Sequence, residues 1–267
     1  MKTEQDKINN IINNMSQEEY DAVAAELALI PNFAGHENYT LTDKQRAVMT
    51  IQASEKYKEL FDIYKLDYLN DPNLKSTPIR IATMMSSELM VGRYQEAPRI
   101  EKFPANAALV HAIDDIAEAD KALSDIDISE FANVMEQEIL ISKRVDVQSM
   151  CSHHFMPFYN NDTNAYAVIA YRPSKKDTKY LGISKLQRIV NWYAARPQLQ
   201  ENLTMQIFNH ICRVLGSKDV LVCMKNLTHT CESLRGVNTV CGKTSTILYG
   251  GIFRDSQIRL ESINLAI

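Results

Sequence analysis

Near residue 135 the chain changes its periodicity, and that switch restricts the fold more than any other feature. Upstream, apolar residues recur at mixed spacings of three and four, as in "LTDKQRAVMTIQASEKYKELFDIYKLDYL", the mark of an amphipathic helix. Downstream, "EILISKRVDVQSM", "NAYAVIAYRP", "DVLVCMKNLTHT" and "KTSTILYGGIF" are rich in β-branched and aromatic residues and predict strands. Between the second and third of these lie two helical stretches, "SKLQRIVNWYAAR" and "LQENLTMQIFNHICRVLG". The order strand, strand, helix, helix, strand, strand puts a hairpin on each side of a helix pair. It predicts an α+β fold, an antiparallel four-stranded sheet with two helices on one face, preceded by N-terminal helices.

The helical part carries its own punctuation. "SQEEYDAVAAELALI" opens with Ser16 and Glu19 in a capping-box pattern. "NDPNLKSTP" stops the long helix, and Pro78 restarts the chain as a helix in "TPIRIATMMSSELM". "ANAALVHAIDDIAEADKAL" reads as a further helix whose acidic residues form a solvated face.

Composition excludes several classes. With 267 residues, 45% of them hydrophobic, the chain can build a real core. A net charge of -4 argues against a nucleic-acid-coating surface. No run of eighteen apolar residues exists, so no membrane span is expected, and no apolar run follows the first lysine, so no secretory signal is expected. The cysteines, at 151, 212, 223, 231 and 241, are odd in number. A reduced, cytoplasmic protein follows, with some thiols available to metal.

The densest chemistry lies in "QSMCSHHFMPF", where Cys151, Ser152, His153 and His154 are consecutive. A Cys-x-x-His pair can offer two zinc ligands from one turn. A nucleophile with its base, or a buried cysteine beside a solvated histidine, fits the same four residues. "LTHTCESLRG" strengthens the metal reading. On an extended strand His229 and Cys231 would share a face, so Cys231 could supply a third ligand with His229 beside the ion. Three mixed Cys and His ligands without an evident fourth suit a catalytic zinc better than a structural one. His210 and Cys241 stay open as further ligands, while Cys212 and Cys223 fall in apolar patterns. In "LGISKLQRIV" the residues Ile183, Leu186 and Val190 form the buried stripe, and Lys185 and Arg188 share another face, as solvated cations or as an anion grip. Gln200 and Glu201 open the next helix. Glu201 either complements the helix dipole or accepts both the N1–H and the exocyclic amine of guanine.

Taken in order, "STPIRIATMM", "MCSHHF", "GISKLQRIV", "ARPQLQENLT" and "THTCESLRG" resemble the GTP cyclohydrolase I family from about residue 43 onward. The resemblance implies the tunnelling fold, in which protomers pool antiparallel sheets into a barrel. It also implies a homo-oligomer, a decamer, with active sites between subunits. Its reaction turns GTP and water into 7,8-dihydroneopterin triphosphate and formate, with Zn2+ as cofactor and neither nucleic acid nor membrane as partner. By motif position Cys151, His154 and Cys231 match the zinc ligands, and His153 and His229 the acid/base histidines. Ser184, Lys185, Arg188 and Arg235 match the triphosphate and ribose contacts, joined by Arg80 from a neighbouring subunit. Gln200 and Glu201 match the guanine contacts. On this reading residues 1–75 are an N-terminal helical segment and 76–267 the catalytic domain, with a helical insertion at about 100–135. Other readings are a GTP-binding homologue that regulates or yields an altered product, a nitrile reductase of the same fold, and a structural zinc site.

Two features depart from the family pattern. Ser152 stands where an acidic residue is usual, which touches the surroundings of the ligands. The other is the extra sequence, about forty N-terminal residues and the insertion.

Overall fold

The capping signal named at Ser16 acts where the sequence places it, and the structure adds a second at Thr42. In this computed structural model, which describes residues 4–35, 37–104, 140–160, 162–173, 179–239 and 241–266, Ser16 caps one helix and Thr42 the next, each with both capping-box bonds formed. In chain order the elements are α1 (Glu4–Asn14), α2 (Gln17–Ala28), α3 (Asp43–Ile63), α4 (Thr77–Met84), β1 (Lys102–Pro104), β2 (Ile141–Val145), β3 (Gln148–Cys151), β4 (Pro157–Tyr159), β5 (Tyr166–Tyr171), β6 (Lys179–Leu181), α5 (Ile183–Ala194), β7 (Pro197–Gln198), α6 (Gln200–Leu215), β8 (Val220–His229), α7 (Thr230–Ser233), β9 (Thr244–Tyr249) and α8 (Ser256–Asn264). The expected helix "ANAALVHAIDDIAEADKAL" and nearly all of the insertion at about 100–135 lie outside the described residues.

The chain divides into two compact units. One comprises Met1–Ala97, Ser149–Phe155 and Trp192–Gln198. Its helix α3 ends earlier than its apolar pattern suggests. Lys65 takes φ 58° and the Leu66 N–H reaches back 2.9 Å to the Phe61 carbonyl, a Schellman-type stop that precedes the Asn-Asp-Pro signal. α4 runs into a π-turn at Met85–Leu89, where Ser86 Oγ lies 2.6 Å from Thr50 Oγ1 of α3. The same unit pairs β3 with β7 in parallel, Met150 opposite Pro197 and Cys151 opposite Gln198. Arg196, 1% exposed, donates to the Gly92 carbonyl at 2.9 Å and lies over the Trp192 ring at 4.3 Å.

The other unit comprises Pro98–Gln148, Met156–Asn191 and Leu199–Ile267. Its sheet is the expected antiparallel four, β2–β5–β8–β9, with short β4 pairing the end of β8. β5 is buried along its whole length, as a central strand covered on both faces must be. On one face α6 packs through Thr204, whose hydroxyl lies 3.5 Å from Met224 Sδ. Residues alternate across a strand, so Cys223 points the other way, and there Ile258 and Ile263 of α8 pack over Tyr166, Val168, Ala170, Leu221 and Phe253. The sequence reading had no helix on this second face. The buried stripe of α5 is Leu186, Ile189 and Val190; Ile183, its first helical residue, is 67% exposed.

Candidate active site

Two groups of the expected residues can be built from their elements. The first is the turn after β3. Cys151 ends the strand with its thiol buried, Ser152, His153 and His154 follow in the turn, and the Phe155 N–H closes it on the Cys151 carbonyl at 2.9 Å. Phe155 takes φ 55°, a conformation that costs a non-glycine residue about 1 kcal/mol. The His153 and His154 rings are exposed and meet edge to face at 6.3 Å. The Ser152 N–H donates to the Gln198 carbonyl at 2.9 Å, so the strand pairing extends into the turn.

The second group surrounds His229, the last residue of β8. A bulge between Met224 and Leu227, with Asn226 at φ 58°, shifts the register before the strand reaches it. Phe158 of β4 stands directly opposite in the ladder, and its ring stacks on the imidazole with centroids 4.7 Å apart and planes 3° from parallel. His229 Nε2 lies 2.8 Å from Gln200 Oε1. Burial pushes this imidazole below its ordinary value, against the opposing pull of the Glu201 and Glu232 carboxylates.

One expectation needs correction here. Alternation along an extended strand was to place His229 and Cys231 on one face. β8 stops at His229, and Thr230–Ser233 form a helical turn, anchored by the Thr230 hydroxyl on the Pro157 carbonyl at 2.7 Å. The period of two therefore ends at His229, two residues before Cys231.

The remaining candidates are placed as follows. Ser184 and Lys185 lie in the first turn of α5, Ser184 exposed and Lys185 3.8 Å from the Glu101 carboxylate. Arg188 is exposed one turn on, Arg80 is exposed on α4, and Arg235 is exposed in the loop after α7. Glu201 is exposed in the first turn of α6, whereas its neighbour Gln200 is 1% exposed with its amide engaged by protein groups. Phe158 and the threonines around Gln200 had not been anticipated. Thr204, four residues after Gln200 and so on the same helix face, was the available signal.

None of the five cysteines is joined in a disulfide. Among the described residues no three His, Cys, Asp or Glu side chains stand grouped as a metal-binding set. The fit to zinc rests on donor type: a buried thiol beside an exposed imidazole on one turn, and a half-buried thiol in another, are the soft and borderline donors zinc takes.

An α+β unit built on an antiparallel sheet with a strand-end histidine, and a second unit that carries a Cys-x-x-His turn, are parts that suit an enzyme. The family follows from comparison. A profile of the GTP cyclohydrolase I family matches residues 109–266, and the chain belongs to that family. It is 32% identical over 196 residues to "GTP cyclohydrolase 1" of Flavobacterium johnsoniae, covering 73% of this chain and 72% of the relative. The protein of the same name from Mannheimia succiniciproducens is 29% identical over 224 residues, covering 83% of this chain and 86% of the relative. That from Bifidobacterium longum is 33% identical over 169 residues, 61% and 81% of the two chains.

Proposed function

We propose that this chain is a zinc-dependent GTP cyclohydrolase that opens the imidazole ring of guanine in GTP to give 7,8-dihydroneopterin triphosphate and formate. The observation that carries the reading is family membership over 109–266, a span that contains the Cys151–His154 turn and the His229 cluster. Cys151, His154 and Cys231 would hold the zinc, which supplies, when bound, the Lewis acidity for attack of water on carbon near neutral pH. His153 and His229 serve as the proton carriers, since imidazoles exchange protons close to working pH. Glu201, exposed at the start of α6, is suited to accept the N1–H and exocyclic amine of guanine as a bidentate pair. Gln200 can join it only by exchanging its present partners. Lys185 and Ser184, in the first turn of a helix, together with Arg188, Arg235 and a neighbouring subunit's Arg80, meet the triphosphate and ribose.

The same reading assigns 76–267 to the catalytic domain and 1–75 to an N-terminal helical segment. It places the active sites between subunits of a decamer whose sheets close into a barrel. β2 and β9, which each pair on one side only among the described residues, are the edges such closure would use. No helix among the described residues is long and apolar enough to cross a membrane; cysteines joined by no disulfide suit a cytoplasmic enzyme.

Mass spectrometry of the products formed from GTP, with and without zinc, tests this. Dihydroneopterin triphosphate and formate are expected with the metal, neither after chelation, and both again on adding zinc back. Full-rate turnover by metal-stripped protein would refute the zinc assignment, and tight GTP binding without ring opening would favour the non-catalytic homologue.

A further inference from the structure

We propose that Thr204 and Thr246 are positioning residues that, through the Gln200 amide, lock neutral His229 in the tautomer with its proton on Nε2 and its lone pair on Nδ1. The direction of each hydrogen bond follows from donor and acceptor inventory. The Thr204 hydroxyl lies 2.8 Å from the Gln200 main-chain carbonyl, which can only accept, so Thr204 donates there. Its other neighbour, Met224 Sδ at 3.5 Å, is a weak acceptor and does not compete. With its single proton committed, Thr204 Oγ1 accepts from the Thr246 hydroxyl at 2.7 Å. Thr246 Oγ1 then has lone pairs left for the Gln200 side chain, and Gln200 Nε2 donates to it at 3.1 Å. The second amide proton points to the Thr244 carbonyl at 3.3 Å, again an acceptor with no alternative.

Both amide protons of Gln200 are thereby assigned on one side, and Oε1 faces His229 at 2.8 Å. An amide oxygen cannot donate, so the imidazole must, and its proton sits on Nε2. Phe158, 0% exposed and parallel to the ring, holds the imidazole plane in which this bond lies. With Gln200 and Thr204 buried and Thr246 and His229 half-buried, the chain is held in one sense, because reversing any one bond leaves another group unpaired. Two threonines remote in sequence thus decide which nitrogen of His229 can take a proton from a reactant.

The effect on turnover rests on the reading of His229 as an acid/base group; the tautomer itself does not. Magic-angle-spinning NMR of protein carrying 15N in its histidine side chains, with His229 identified by difference against His229→Asn, is expected to show the Nε2–H form of the neutral ring. Thr246→Val removes the acceptor for the amide and should give a mixture of tautomers. Turnover of GTP should fall about tenfold with KM within twofold, since misdirected proton transfer leaves binding intact. Thr246→Ser, which keeps the hydroxyl, should restore both spectrum and kcat. A wild-type Nδ1–H signal would overturn the proposal without any variant. So would a Thr246→Val protein, or a Thr204→Val protein if that one folds better, with the wild-type spectrum. A shifted tautomer with unchanged kcat would leave the lock standing and remove His229 from the acid/base assignment.

Discussion

Cys231→Ala is expected to yield a folded protein that has lost its zinc and, with it, turnover of GTP by ~10³-fold or more. Cys231 sits in the short helical turn that follows β8, half-buried, so shortening its side chain by one atom removes little packing. The loss falls instead on coordination. A catalytic zinc held by three protein ligands cannot spare one, and even outer contacts to such ligands cost 10–100-fold in affinity when removed. Metal content by atomic spectroscopy should drop from about one ion per chain to a trace, while the melting temperature of the metal-free proteins stays comparable. Cys212→Ala is the control, since that thiol lies on α6 and burial pushes it above its ordinary value. It should keep both zinc and activity. If Cys231→Ala retained its metal and formed dihydroneopterin triphosphate, the ligand assignment would fall and Cys241 or His210 would have to be considered in its place.

What the sequence discloses here tracks how local the determining physics is. Caps and periods are local, so Ser16 and the strands β5, β8 and β9 are where the pattern puts them. "EILISKRVDVQSM", read as one strand, instead breaks after Val145 into β2 and β3, because β3 pairs with β7. The β8 bulge and the end of that strand at His229 are set by partners in β4 and β9, and a period-two argument carried through to Cys231 misses both. Helix α8 escaped for a different reason. "SQIRLESIN" carries few apolar residues, and only its packing over Tyr166 and Phe253 shows which of them face inward. Asp255, which accepts from the Gln257 and Ile258 N–H groups, was a legible start signal all the same. At the site, residue types were readable and relations were not. The run Cys151–His154 advertises its chemistry in four letters. Gln200 instead looks like a surface residue at a helix start, and its burial depends on Thr244 and Thr246, more than forty positions away.

Gly251→Ala should be the most damaging small substitution in the sheet unit. Gly251 follows β9 with φ 55°, where an alanine costs roughly 1–2 kcal/mol for its backbone alone. Sterics add more. A Cβ there would stand 1.8 Å from Asp219 Oδ1 and 2.9 Å from Asp219 Cα, so turning the carboxylate aside is not enough and the backbone must move. That carboxylate joins three strand ends. It accepts from Arg172 Nε at 2.9 Å and Nη2 at 2.6 Å just past β5, and from the Ile252 N–H at 3.0 Å in the turn after β9, while Asp219 itself leads into β8. Arg172 and Asp219 are 27% and 19% exposed, so losing their pair costs less than a fully buried one but leaves two charges half out of water. A total on the order of 4 kcal/mol follows, which in a protein of this size lowers the melting temperature by about 10 °C. Gly216→Ala isolates the backbone part, because that glycine has φ 65° and nothing within 4 Å of a Cβ. It should cost only about 1 kcal/mol. Adding Asp219→Ala to Gly251→Ala should destabilise by less than the sum of the two, since the carboxylate that clashes is then absent. Equal melting temperatures for Gly251→Ala and Gly216→Ala would show that the turn gives way without disturbing Asp219, and the three strand ends would have to be tied some other way.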